Sequence, residues 1–432
     1  MLLAPERKMD QAQYDSDIQK NQRHNFVVNA GDLISVNLAR SFVFSTTILP
    51  LYVSYLTKSA VLIGLVPAIL EVGFLLPQLF TARKAETLDR MKPYVVKVSL
   101  FERLPYLVIA LFILLFPDAP SWLAYLVLAV NITIASGSGG LATPAWKTLL
   151  RKVIHPNRKA MLFALGMGLG GGLGIGGAWI SRFMLQHYRF PYSYGFCFGL
   201  AFAAQMLSWG FLAMNREPPR RMATAAVTVR EYFARLPALL RRSPNFGRYL
   251  VSQVFVILGS MGASFFIIYG KERLGVTDAF AATLTVIALV SQAIAAPIIG
   301  WLSDKFGHKT LTVLSVLPGI VAPVLVLLTS SPGWLAFVFI LMNLSMAGLR
   351  ITRNSITMEF STIEELPTFT AISGTLLAFP TFIAPILGGW LIDTTGYSAT
   401  FLVACVVSAA GAGITALFVH DPRTKAGVEI HG

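Results

Sequence analysis

Apolar runs of roughly 20 residues recur along the whole chain, broken by short polar intervals. Each run is long enough to cross a hydrocarbon layer as a helix. Twelve can be marked. Six lie at roughly 26–52, 60–82, 94–116, 121–145, 160–185 and 192–214. The other six lie at roughly 249–270, 279–299, 310–330, 334–357, 370–392 and 397–419. The longest polar interval, 215–248, separates the two sets. The pattern predicts an all-α membrane protein of twelve transmembrane helices in two six-helix bundles, 26–214 and 249–420. A basic linker at 215–248 joins them, and polar tails at 1–25 and 421–432 flank them. Within the linker, apolar residues at Val229, Tyr232, Phe233, Leu236, Leu239 and Leu240 fall at helical spacing among arginines, which predicts an amphipathic surface helix.

Composition agrees with lipid as the solvent. The chain is 55% hydrophobic and only 13% charged, against about 25% charged residues in soluble domains. In lipid every backbone polar group must be satisfied within its own segment, which favours helices over open strands. Cys197 and Cys405 both fall inside apolar runs, so no disulfide framework is implied.

The formal charge of +14 is explained by topology. With the N-terminus inside, 27 of the 35 Lys and Arg residues fall on the cytoplasmic side and only Lys58, Arg182, Arg189, Lys271 and Arg273 on the other. The remaining three, Arg40, Lys97 and Arg103, fall within spans. So strong a bias sets orientation, with both termini cytoplasmic, and leaves no excess that calls for a nucleic acid.

The interval between the eighth and ninth spans reads Gly300-Trp-Leu-Ser-Asp304-Lys305-Phe-Gly307-His-Lys309. Its pattern, Gly-x-Leu-x-Asp-x-x-Gly-x-Lys, resembles the signature loop of the major facilitator superfamily of transporters. That resemblance implies a cytoplasmic gate in which Gly300 and Gly307 allow a sharp turn and close helix approach. Asp304, Lys305 and Lys309 would then join a charged network with Arg350 and Arg353 at the inner end of span ten. The first-half counterpart, residues 81–93, keeps its basic character but lacks both glycines and the correctly spaced aspartate. If a latch exists there, Arg83, Lys84, Glu86, Asp89 and Arg90 must form it differently.

Span five carries Gly168, Gly172, Gly176 and Gly177 at helix-packing spacing, and span eleven carries Pro385, Gly388 and Gly389. The glycine run resembles the span-five motif of exporters in the superfamily, with Leu173 where that motif has proline. In span four, Thr133 and Ser136 replace the arginine and glutamine typical of the superfamily's drug–proton antiporters.

Charged groups inside the membrane are costly and mark a pathway or a partner. Candidates for a substrate or proton pathway are Asp32, Asn37, Arg40, Glu71 and Glu102 in the first half, and Gln253, Gln292 and Asn343 in the second. A central cavity would hold Arg40 and Glu71, with Asp32 nearer the cytoplasm. A buried carboxylate there could couple transport to a proton gradient, or could instead form an ion pair that fixes helix packing.

No catalytic constellation or nucleotide loop is present, so neither an enzyme nor an ATP-driven pump is expected, and no cofactor or metal. The expectation is a monomeric, gradient-coupled secondary transporter in the cell membrane, exporting a small amphipathic molecule. Import of a nutrient or metabolite, lipid transport, and a non-transporting sensor stand as alternatives on the same fold.

Overall fold

In a computed structural model, residues 11–218, 237, 239–361 and 366–422 are described. They are helical nearly throughout. The first half comprises α1 (Gln11–Phe42), α2 (Ile48–Leu56), α3 (Ala60–Thr87), α4 (Lys92–Leu115), α5 (Ser121–Val153), α6 (Lys159–His187) and α7 (Tyr192–Ala213). The second comprises α8 (Pro244–Gly259), α9 (Phe266–Leu274), α10 (Asp278–Phe306), α11 (His308–Leu328), α12 (Pro332–Glu359) and α13 (Leu366–Phe418). The expected linker helix lies outside the described residues except for Pro237 and 239–242.

Ten of the described helical stretches are long and apolar enough to cross a membrane. One of them, Ile372–Phe418, has 47 residues. At 1.5 Å per residue that is about 70 Å, more than twice a hydrocarbon core of about 30 Å. The chain turns at Gly396, whose φ of 85° is open to glycine and strained for other residues. The first expected span is not among the ten, because its helix is polar on the side that packs inside the protein.

Two details depart from the sequence pattern. The polar N-terminal tail does not end at residue 25: α1 is one helix from Gln11 to Phe42. Its polar start is held by the chain following α7. Asn25 Nδ2 donates to the Arg216 carbonyl at 3.0 Å, and Asn29 Nδ2 donates to Asn215 Oδ1 at 2.6 Å. In addition, spans one and seven are each broken. Residues 43–47 separate α1 from α2, and the 3-10 turn Ser260–Phe265 separates α8 from α9. The breaks fall at like positions in the two halves, as expected of repeats.

Each half packs chiefly on itself. In the first, α1 lies on α6 and α7, and α5 lies on α3 and α4; in the second, α8 lies on α13 and α12 lies on α10 and α11. The halves meet along two seams, α3 against α13 and α6 against α10. Asn25 and Arg216 mark one end of the first half, and Asn245 with His420 mark the same end of the second. We call this the terminal face and the opposite end the distal face.

Candidate transport pathway

Three charged side chains within the expected spans stand out: Arg40 on α1, Glu71 on α3 and Arg350 on α12. All three are exposed. Glu71 attracts Arg350 and Arg40 repels it. Exposed charge within a span is tolerable only where water reaches it. Each of the three is therefore placed where water can reach it.

The other sequence candidates have different surroundings. Asp32 is not exposed. It is 4% exposed and accepts a hydrogen bond from Ser208 Oγ at 2.6 Å, with Arg103 Nη2 at 3.9 Å. Its cationic neighbour is thus Arg103, 3% exposed, rather than Arg40. Arg103 donates to the Gln205 and Ser99 carbonyls and to Ser208 Oγ, at 2.9, 2.7 and 2.8 Å. It also meets Glu102 at 3.3 Å. This buried network ties α1, α4 and α7 together. Asn37 is committed as well: its amide donates to the Leu33 and Gly166 carbonyls, joining α1 to α6. In the second half Gln292 Nε2 donates to Asn343 Oδ1 at 2.8 Å, pairing α10 with α12. Gln253 is fully buried, and neither of its side-chain polar atoms has a hydrogen-bond partner among the described residues.

The signature loop makes its sharp turn at Gly307, with φ 92°. Around it, Ser303 Oγ bonds His308 Nδ1, His308 Nε2 lies 3.4 Å from Glu359 Oε1, and Lys309 Nζ donates to the Ala416 carbonyl at 2.9 Å. The described contacts of the loop thus run within the second half. The expected closing of Arg350 and Arg353 onto this loop is not the arrangement found. Glu71 is the carboxylate that attracts Arg350, and Arg353 sits beside Tyr249. Nor does Gly300 serve close approach, since a methyl group there would meet nothing within 4 Å.

The first-half loop is held by residues that sequence reasoning missed. Glu217 accepts from the Met91 and Lys92 amides at the start of α4, each at 2.8 Å, and from Lys152 Nζ at 2.9 Å. Both side chains of the pair are buried, at 1% and 0% exposure. A carboxylate on free helix N–H groups satisfies donors that nothing else in the helix can reach. The side chains of Arg83, Lys84 and Glu86 lie outside the described residues.

The distal face joins the halves. Asp393 on α13 caps α3, accepting from the Ala60 and Val61 amides at 2.8 and 3.2 Å and from Ser59 Oγ at 2.9 Å. Asp278, at the start of α10, accepts from Tyr55 at 2.8 and 2.9 Å and from Tyr194 at 3.0 Å. Lys271 donates to Ser54, and Thr47 bonds Thr285. Beneath this layer the backbones touch: a methyl group on Gly64 would lie 2.8 Å from the Pro385 carbonyl carbon, and one on Gly389 2.6 Å from that of Ala60. Tyr55, Tyr194, Asp278 and Asp393 lie at span ends, where a sequence offers no sign of which end is closed.

The packing stripe of α6 is not the expected one. Methyl groups on Gly168, Gly172 and Gly176 would meet nothing within 4 Å. Gly166, Gly170 and Gly177 instead lie against Leu33, Asn37 and Ser41 of α1. Gly166 and Gly168 are two residues out of step, about 200° around a helix, so the two sets occupy different faces. Gly177 belongs to the packed set, and Gly388 also packs, against the Met261 carbonyl.

The arrangement is two helical halves joined at one end, with charged side chains exposed on both. Residues 249–431 match the family model of the Major Facilitator Superfamily. Solved structures of superfamily transporters share the fold over nearly the whole chain. A point mutant of the nucleoside transporter NupG is 12% identical with a TM-score of 0.73, covering 91% of this chain and 100% of that one. A D-xylose-proton symporter is 14% identical with a TM-score of 0.72, covering 92% and 98%. The human organic anion transporter MFSD10 (TETRAN) is 14% identical with a TM-score of 0.61, covering 91% and 99%. No curated protein sequence matches. The resemblance seen in the signature loop is supported: the chain is a multi-pass integral membrane protein with the major facilitator superfamily fold.

Proposed function

We propose that this chain is a twelve-span secondary transporter working by alternating access, here with its cytoplasmic side open. The observation that carries this reading is the asymmetry of the junction. Hydrogen bonds between the halves gather at the distal face, while Arg40, Glu71 and Arg350 stay open to water. Counting Ile372–Phe418 as two crossings and α1 with α2 as a further one gives twelve. The basic bias of the loops supports placing the terminal face on the cytoplasmic side, and the cell membrane is the membrane this reading adopts. Glu71 is the carboxylate we assign to proton coupling, because it is exposed within an expected span and attracts Arg350. A D-xylose-proton symporter of the same fold fits a proton-coupled reading. For direction and assembly we keep export of a small amphipathic compound by a monomer, on the sequence resemblance of span five and not on its packing.

Cysteines placed at Gln78, on the face of α3 carrying Glu71, and at Thr285 in the distal seal test the reading with a membrane-impermeant maleimide. In a background lacking Cys197 and Cys405, the Gln78 position should react from the cytoplasmic side. Conditions that turn the carrier over should lower that reactivity and expose the Thr285 position from the other side. Reaction of both from one side throughout would rule alternating access out.

A further inference from the structure

We infer that the distal face carries a binding site for an organic ammonium ion, held on the ring of Tyr55, and that the chain's own Lys271 occupies it in this structure. Its effect on the two conformations rests on the transporter reading above.

Lys271 belongs to α9 of the second half and Tyr55 to α2 of the first. The Lys271 ammonium lies 3.0 Å from the centre of the Tyr55 ring and donates to Ser54 Oγ at 3.3 Å. Ser54 donates its own proton to the Leu51 carbonyl at 2.7 Å, so it presents a lone pair to that N–H. Among the described residues no carboxylate forms an ion pair with Lys271. Asp278 is taken up by phenols: it accepts from Tyr55 at 2.8 and 2.9 Å and from Tyr194 at 3.0 Å. An aromatic face attracts a cation through its quadrupole. A phenol that donates to a carboxylate keeps more electron density in its ring, so Asp278 strengthens that attraction. Phe190 stacks on Tyr55 with centroids 4.4 Å apart. An ammonium 3.0 Å from the ring centre cannot share that face, so Phe190 backs the ring and leaves the other face to the cation. Tyr55 and Phe190 are 38% and 42% exposed, so an ion in the distal compartment can reach them. Lys271 is thus a tethered ligand on a flexible stem, and a free primary ammonium competes with it. The exposed edge of Phe190 offers apolar surface to a hydrocarbon body. The contact also crosses between the halves. When they part at the distal face, Lys271 leaves with the second half and the ring stays with the first. An ammonium bound to the ring keeps Lys271 off and so favours the distally open form.

Three probes with one apolar body test this on the purified full chain: 2-phenylethylammonium, 2-phenylethanol and phenylacetate. The readout is the shift in unfolding midpoint on titration. Lys271→Gln frees the ring face, so the ammonium should bind this variant several-fold more tightly than the wild type. The alcohol and the acetate should stabilise neither. In the Lys271→Gln background, Tyr55→Leu should weaken ammonium binding roughly two- to thirtyfold, the range for one cation on one aromatic face. Replacing Tyr55 by trifluorophenylalanine keeps the ring and cancels its negative face. It should weaken binding relative to Tyr55→Phe, whereas a ring that only packs would show no difference. That comparison also runs with Lys271 in place, so it survives a Lys271 variant that fails to fold. Equal binding by the two ring variants, preference for the alcohol or the acetate, or no gain in Lys271→Gln would overturn the site. Ammonium added on the distal side should also raise maleimide labelling of a cysteine at Thr285. Binding with unchanged labelling keeps the site and sinks its link to conformation. Labelling that alternates without ammonium binding sinks the site and leaves the transporter reading standing.

Discussion

The distal seal can be broken at one atom. A methyl group on Gly64 would lie 2.8 Å from the Pro385 carbonyl carbon, and closer still to its oxygen. Ordinary contact needs about 3.5–4.0 Å, so α3 and α13 must part by about 1 Å. Neither side can yield by rotating a side chain, because the obstacle is backbone. Overpacking of this kind costs about 1–3 kcal/mol. The cost falls on the conformation in which the seam is closed and is absent where the halves part distally. Gly64→Ala should therefore shift the balance between the two conformations roughly five- to 150-fold towards the distally open form. The assay is maleimide labelling of a cysteine at Thr285, which is fully buried here. Its labelling rate should rise by the same factor. Gly172→Ala is the control, since a methyl group there meets open space. Unchanged protection of the Thr285 position in monodisperse Gly64→Ala protein would refute the assignment of this seam as the seal.

Other substitutions probe other parts. Asp393→Ala removes a carboxylate from two free amides of α3 and should cost the seal about 0.5–2 kcal/mol, read by the same labelling. Lys152→Met leaves Glu217 buried without its cation and should destabilise the protein by about 3–5 kcal/mol, seen as a lower unfolding midpoint. Arg103→Gln should cost a similar amount, because Asp32 loses its buried counter-charge; a wild-type midpoint would show that the network is not structural. In proteoliposomes Glu71→Gln should transport without responding to an imposed pH gradient, whereas Asp32→Asn should keep the response if it is stable.

The helices were legible because lipid enforces a simple rule. Long apolar runs must be helices, and their lengths, the basic linker and the loop bias could be read residue by residue. The turn at Gly307 was legible for the same reason, as a short charged interval between two spans needs a residue tolerant of unusual φ. Sequence spacing did not reveal partners. Asp32 and Arg40 share a polar arc of α1, yet Asp32 turns to Arg103, seventy-one residues away in sequence, because α4 and α7 pack on that side. The glycines of span five satisfied two packing registers at once, and only the placement of α1 against α6 chose between them.

The chain alone thus determined that it is a membrane-spanning helical bundle, which way its basic loops bias it, and which side chains are too costly in lipid to be idle. Those properties follow from each segment's exchange with its solvent. Tertiary structure alone decided which end is sealed and that Glu217 and Lys152 hold the degenerate first loop. Such facts depend on contacts between segments far apart in sequence, where a carboxylate's meaning is set by whichever helix end or guanidinium the fold brings against it.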